Sequence, residues 1–189
     1  TALAGNADKR LPVAGIGEIP VMAYGCGGKK RDELLAAIRA GYRVFDTALW
    51  PSWGYWQTEL AAAIEASGVP REDIIIESKI APIDFGKVST PRAINHALRE
   101  LNTSYIDILV THHMSCTDGA MCWTDWTQAW RPEQWQPDGH VADAYGAMET
   151  AVLEGRVRAI GFSNIDAATL AGVLSLPCRV KPAFVSNYY

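Results

Sequence analysis

Residues 73–113 read DIIIESKIAPIDFGKVSTPRAINHALRELNTSYIDILVTHH, and their order decides the fold. The run from Ile74 to Ile76 leads to Lys79 and carries no polar alternation, as in a parallel strand buried on both faces. A helical pattern follows, with Thr90 predicted as its N-cap and Pro91 at the first helical position, where a missing N–H does no harm. "YIDILVT" is then a second strand of the same kind, leading to His112 and His113. Strand, helix and strand in that order make a parallel pair joined by a right-handed crossover.

The same unit repeats outward in both directions. Upstream, "IPVMAYG" reads as a strand and "KRDELLAAIRAG" as a helix ended by Gly41 in the left-handed conformation. "RVFD" is a strand ending at Asp46, and "QTELAAAIEASG" is a helix closed by Gly68. Downstream, an irregular stretch from Met114 to His140 precedes the helix "ADAYGAMETAVLEG" and the strand "VRAIGFS". The helix "DAATLAGVLS", with Asp166 near its cap, and a last strand in "PAFVSNYY" complete the series. "RLPVAGIGEIP", near the start, is predicted to form a small hairpin.

Strict alternation of strands and helices gives an α/β protein with a parallel sheet. The expected architecture is a TIM-type (β/α)8 barrel, of which this chain covers about six βα units. Such barrels typically need about 250 residues. The 189 residues are therefore expected to form one barrel domain over 1–189, incomplete at the C-terminus. A doubly wound open sheet is disfavoured, because "YGCGGKK" after the first strand lacks the GxGxxG phosphate loop.

Bulk properties narrow the function classes. Apolar residues make up 49% and charged residues 20%, the balance of an ordinary globular protein. A net charge of −4 leaves no electrostatic footprint for nucleic acid or anionic membrane. No apolar stretch approaches the roughly 20 residues that span a bilayer. A soluble protein is expected, cytoplasmic or organellar after removal of a leader. Cys26, Cys116, Cys122 and Cys178 lack CxxC spacing, so buried or idle thiols are expected and a Cys116–Cys122 bridge stays open. Neither histidine nor cysteine spacing suggests a metal site.

Asp46, Lys79 and His112 each sit at the C-terminal end of a separate strand, the end where such barrels carry their chemistry. Three ionisable groups so placed are hard to explain as packing. The tryptophans fall in the segments after two of these strands. Trp50, Trp53 and Trp56 follow the second, and Trp123, Trp126, Trp130 and Trp135 follow the fourth. They suit a binding mouth for an apolar or planar ligand, with Trp50, Trp53 and Trp123 as candidate substrate contacts. Mutual packing of the loops, or a docking surface for a protein partner, are the alternatives. Chemically, a lysine beside an aspartate can tune a neighbouring tyrosine, and a neutral histidine can orient a substrate oxygen. Such a set protonates a carbonyl while another group delivers hydride.

"GYRVFDTA", "VPREDIIIESK", "LNTSYIDILVTHH" and "AMETAVLEGRVRAIGFSN" together resemble the aldo-keto reductases, from about Ile19 to the end. The resemblance implies a (β/α)8 barrel that reduces aldehydes and ketones with NADPH. It implies Asp46, Lys79 and His112 as three of four catalytic residues, and Ser163 and Asn164 as the pair that binds the nicotinamide carboxamide. His113 is expected on the opposite face of the strand from His112.

Three departures stand out. The family's catalytic tyrosine lies five residues after the aspartate, where this chain has Pro51. Tyr55, inside "LWPSWGYWQTE", is the candidate proton donor, or else one more loop aromatic. Ser186 stands where the family carries a glutamine against the nicotinamide. The chain stops before strands seven and eight, which hold the adenosine phosphate in the family. Two functions follow: NADPH-dependent reduction of a small carbonyl compound, or a catalytically inactive barrel retained as a subunit of a larger complex.

Overall fold

A computed structural model describes residues 9–114, 139–175 and 177–187. Two strands, β1 (Arg10–Val13) and β2 (Gly17–Pro20), form the expected antiparallel hairpin. Six further strands pair in parallel, in chain order: β3 (Ala23–Gly25), β4 (Val44–Asp46), β5 (Ile75–Ile80), β6 (Ile106–Thr111), β7 (Val157–Ser163) and β8 (Phe184–Ser186). The helices between them are α1 (Arg31–Arg39), α2 (Gln57–Ser67), α3 (Ser89–Glu100), α4 (Val141–Leu153) and α5 (Ala167–Ser175). This is the barrel architecture read from the alternation, in six units.

Two boundaries differ from expectation, each for a local reason. Ile19 and Pro20 are already paired with Leu11 and Arg10 in the hairpin, so the first sheet strand shortens to Ala23–Gly25. Thr90 is not the cap of α3, which starts at Ser89 after Val88. Its buried hydroxyl donates to the Asp84 carbonyl (2.6 Å) and accepts the Gly86 N–H (3.1 Å), fastening the preceding loop instead.

Alternation along each strand divides the core in two. Phe45, Ile76, Leu109, Ile160 and Phe162 face the helices and pack with Leu34, Ile38, Leu60, Ile94 and Met148. Val44, Ile75, Ile108, Val110 and Ala159 face the barrel lumen, joined by Val13 and Ile19 of the hairpin. Gly15 at the hairpin tip (φ +86°) lies against β7, where a Cβ would come within 2.4 Å of the Arg158 carbonyl oxygen. The hairpin thus seats closely on the N-terminal end of the lumen.

At that same end Asp107 is wholly buried and acts as a clamp. It takes hydrogen bonds from Arg71 (2.8 Å), Arg158 (3.1 Å) and the Ile76 N–H (3.0 Å), tying β5, β6 and β7 together. A buried carboxylate is tolerable only when its oxygens are satisfied in this way. The charged lattice at the N-terminal end is structural, which leaves the C-terminal end for chemistry.

Candidate active site

Ladder hydrogen bonds continue past the strand ends and hold the C-terminal rim in register. The N–H of Cys26 donates to the Asp46 carbonyl (2.8 Å), that of Thr47 to Glu77 (2.8 Å), that of His112 to Ile80 (2.8 Å) and that of Asn164 to Ser186 (3.2 Å). Asp46, Lys79 and His112 are therefore fixed by the sheet.

Lys79 is the centre of the cluster. It is 4% exposed, and its ammonium contacts the Asp46 carboxylate and donates to the Thr47 carbonyl at 3.0 Å. Glu77, two residues earlier and on the same lumen face, brings Oε1 within 3.9 Å of Nζ. Burial pushes Lys79 down to about 7 and Glu77 up to about 7.

Tyr55 reaches this cluster despite its displaced place in the sequence. The segment before it closes as a 3-10 turn over Pro51–Trp53, and Gly54 follows in the left-handed conformation (φ +79°). The Trp50 carbonyl accepts from the N–H groups of both Trp53 and Tyr55, so the insertion is folded onto itself. The Gly28 N–H donates to the Gly54 carbonyl (2.9 Å) and anchors the loop to the one after β3. The Lys79 ammonium lies over the phenol ring, 5.6 Å from its centre, and the ring is edge-on to His112 (6.2 Å). Gly27 leaves it room, since a Cβ there would lie 3.4 Å from the phenol Cζ. Burial, then the nearby Cys26 and Glu77, push the Tyr55 phenol up, opposite to the lowering expected from lysine alone.

His112 is buried, and burial together with Lys79 and His113 lowers it to about 3, so the ring is neutral. Its Nδ1 has no hydrogen-bond partner among the described residues. Trp50 (5.7 Å) and Trp53 (6.4 Å) stand edge-on around it. His113 does not point away. The strand ends at Thr111, alternation lapses, and the two imidazoles stack at 5.0 Å. Trp56 departs from the other two tryptophans and lies under the Lys30 ammonium (3.3 Å). Trp123, Trp126, Trp130 and Trp135 lie outside the described residues, as do Cys116 and Cys122. Cys26 is a buried thiol pushed up to about 12 by burial, and neither it nor Cys178 is in a disulfide.

Ser163 and Asn164 adjoin this floor. The Asn164 side-chain amide donates to the His112 carbonyl (2.8 Å) and to Ser163 Oγ (3.1 Å). What remains to the pair is the Ser163 O–H as donor and Asn164 Oδ1 as acceptor, the complement of a primary carboxamide. Ser186 is placed differently, because its hydroxyl donates to the Glu77 carboxylate. Asn187 brackets Ile165, accepting from its N–H (3.1 Å) and donating to its carbonyl (2.9 Å). Glu77 was the residue that sequence reasoning passed over. Its signal was an acid two places before a lysine in an otherwise isoleucine-rich strand.

The model of the aldo/keto reductase family matches residues 29–189, from the loop before α1 to the last residue. The chain belongs to the aldo/keto reductase family. An aldo-keto reductase of Mycobacterium sp. (strain MCS) is 29% identical over 162 residues, covering 84% of this chain and 49% of the relative. The solved aldo-keto reductase MGS-M4, from a Medee basin deep-sea metagenome library, superposes with a TM-score of 0.76 at 27% identity. It covers 96% of this chain, which corresponds to 58% of its own length. A Bombyx mori aldo-keto reductase solved in complex with NADP shares the fold, with a TM-score of 0.76, 22% identity and coverage of 96% and 58%. The chain spans about half the length of the curated relatives it matches. Within the aldo/keto reductase fold of this chain, the loop that carries Tyr55 is wound into a 3-10 turn over Pro51–Trp53, and Ser186 meets Glu77 across the sheet. Among the described residues, no helix is long and apolar enough to cross a membrane.

Proposed function

We propose that this site reduces an aldehyde or ketone to the alcohol with NADPH. The observation that carries the proposal is the convergence of Tyr55 on Lys79 and His112, from a sequence position where the family pattern does not place a tyrosine. Tyr55 is the proton donor to the carbonyl oxygen. Its raised pKa keeps the hydroxyl protonated through neutral pH, so the proton is present when needed. Lys79, held by Asp46 and the Thr47 carbonyl, supplies positive charge as the phenolate develops. Neutral His112 orients the carbonyl, and Trp50 and Trp53 wall the approach to it.

The donor set of Ser163 and Asn164 fits a nicotinamide carboxamide and would hold it beside His112. Held there, NADPH would supply the hydride for the carbonyl carbon. Ser186 donates its hydroxyl to Glu77, so toward the cofactor it is left as an acceptor only. The proposal is tested by following NADPH absorbance at 340 nm with a panel of aldehydes and ketones. Turnover is expected, and Lys79→Met and Tyr55→Phe each lower kcat by roughly a hundredfold or more. Binding of NADPH without turnover of any carbonyl would overturn it.

A further inference from the structure

Glu77 enters the chemistry above only through its effect on Tyr55, yet it is buried in the lumen beneath Lys79. The sheet itself sets this relation. β4 and β5 pair with Asp46 opposite Glu77, and Lys79 follows Glu77 by two residues on the same face. One carboxylate thus meets the ammonium from the rim and another from below. Glu77 is 4% exposed, takes one hydrogen bond from Ser186 on β8, and has no hydrogen-bond partner for Oε1 among the described residues. An unsatisfied carboxylate oxygen at this depth is costly unless a charge faces it. The facing charge is Lys79.

We propose that Glu77 is a positioning residue of the site, sharing the Lys79 ammonium with Asp46 and thereby setting the pH range over which Lys79 and Tyr55 work. The inference rests on the reductase reading for its functional meaning, but not for its physical test. Other groups face Lys79 as well: Asp46 from β4, Cys26 from the loop after β3, Tyr55 from the loop after β4 and His112, backed by His113, from the end of β6. From β7 and β8 the residues at this level are Ser163 and Ser186, neither of which titrates in the range concerned. Lys79 is the cation that Glu77 meets among the described residues, so removing the Glu77 charge acts on Lys79 first. An opposite charge at this separation typically raises a lysine by one unit or more.

The experiment is a pH titration of the Lys79 Cε resonance in lysine-13C-labelled full chain, assigned by its loss in Lys79→Met. The Lys79 midpoint is expected to fall by about one unit in Glu77→Gln, which keeps the shape and loses the charge. Ser186→Ala withdraws the hydrogen bond that favours the charged form of Glu77, and should move the midpoint the same way by less. It decides the matter if Glu77→Gln does not fold. A midpoint unchanged or raised in the folded variant overturns the inference. In parallel, the alkaline limb of kcat/KM for carbonyl reduction is expected to move to lower pH by a similar amount. A midpoint that falls in Glu77→Gln while the wild-type chain reduces nothing would retain Glu77 beneath Lys79 and sink the reductase reading alone.

Discussion

The side-chain amide of Asn164 donates to the main-chain carbonyl of His112 at 2.8 Å, joining the ends of β6 and β7 at the floor of the site. Asn164 holds a left-handed backbone (φ +53°), which its short polar side chain tolerates better than most. Replacing it separates the two demands. Asn164→Gly keeps the backbone free and loses the amide, while Asn164→Asp sets an oxygen against the His112 carbonyl. Both are expected to lower kcat/KM by about tenfold, near 1.4 kcal/mol, with the larger loss for aspartate. Steady-state kinetics on variants with unchanged circular dichroism checks this, and an unaltered kcat/KM in both would remove Asn164 from the positioning of His112.

Gly27 offers a graded probe of Tyr55. An added Cβ would sit 3.4 Å from the phenol Cζ and 3.6 Å from its oxygen, ordinary contact for alanine. The branches of valine have no such room and would push the ring off Lys79. Gly27→Ala is therefore expected to be nearly silent, and Gly27→Val to cut kcat by at least tenfold while shifting the melting temperature little. Equal kcat for the two variants would mean that the phenol does not need this space.

Gly161 tests the packing of the sheet. A Cβ there would meet the Phe184 carbonyl oxygen at 1.9 Å, and the neighbour is backbone rather than a movable side chain. Gly161→Ala should force β8 away from β7 at a cost of about 2 kcal/mol or more. For a chain of this size that corresponds to a fall in Tm of roughly 4–8 °C, read by thermal denaturation. A variant melting with the wild type would contradict the close approach.

Two buried groups make opposite contributions to stability against pH. Glu77 is raised from its ordinary 4.5 to about 7, so its contribution is full below 4.5 and is lost as pH rises through 7. His112 is lowered from 6.5 to about 3, so its contribution is full above 6.5 and is lost as pH falls through 3. Between 4.5 and 6.5 the two slopes oppose, and only differences from wild type isolate them. Glu77→Gln is expected to gain on wild type by up to roughly 3 kcal/mol between pH 4.5 and 7. His112→Asn should gain on wild type as pH falls from 6.5 towards 4. Urea melts across pH measure both, and differences that are flat in pH would be incompatible with either burial effect.

Much of this was legible in the chain because it depends on short-range rules. The isoleucine run of β5, the glycines after α1 and α2 and the regular alternation of elements act locally, and the fold obeys them. Asp46, Lys79 and His112 were recoverable because strand ends are countable from such runs. What escaped depended on contacts between distant segments. Thr90 looked like a cap, but the loop at Asp84 had claimed its hydroxyl. Alternation puts His113 on the far face, but the strand ends at Thr111 and the pattern does not reach it. Glu77 met Ser186 across more than a hundred residues of chain, a pairing invisible until the sheet closed up.

The two routes by which side chains reach Lys79 differ in how they tolerate heritable change. Glu77 and Lys79 are spaced along a hydrogen-bonded ladder, where losing or gaining one residue would exchange them for Ser78 and its neighbours. Tyr55 hangs from a loop whose surplus residues are wound into a single turn. Insertions and deletions can thus accumulate between β4 and α2 while the phenol keeps its place. Across descendants of such a chain, the lysine is expected to stay at a constant distance from its isoleucines, whereas the tyrosine can wander along the alignment and still arrive at the same point in space.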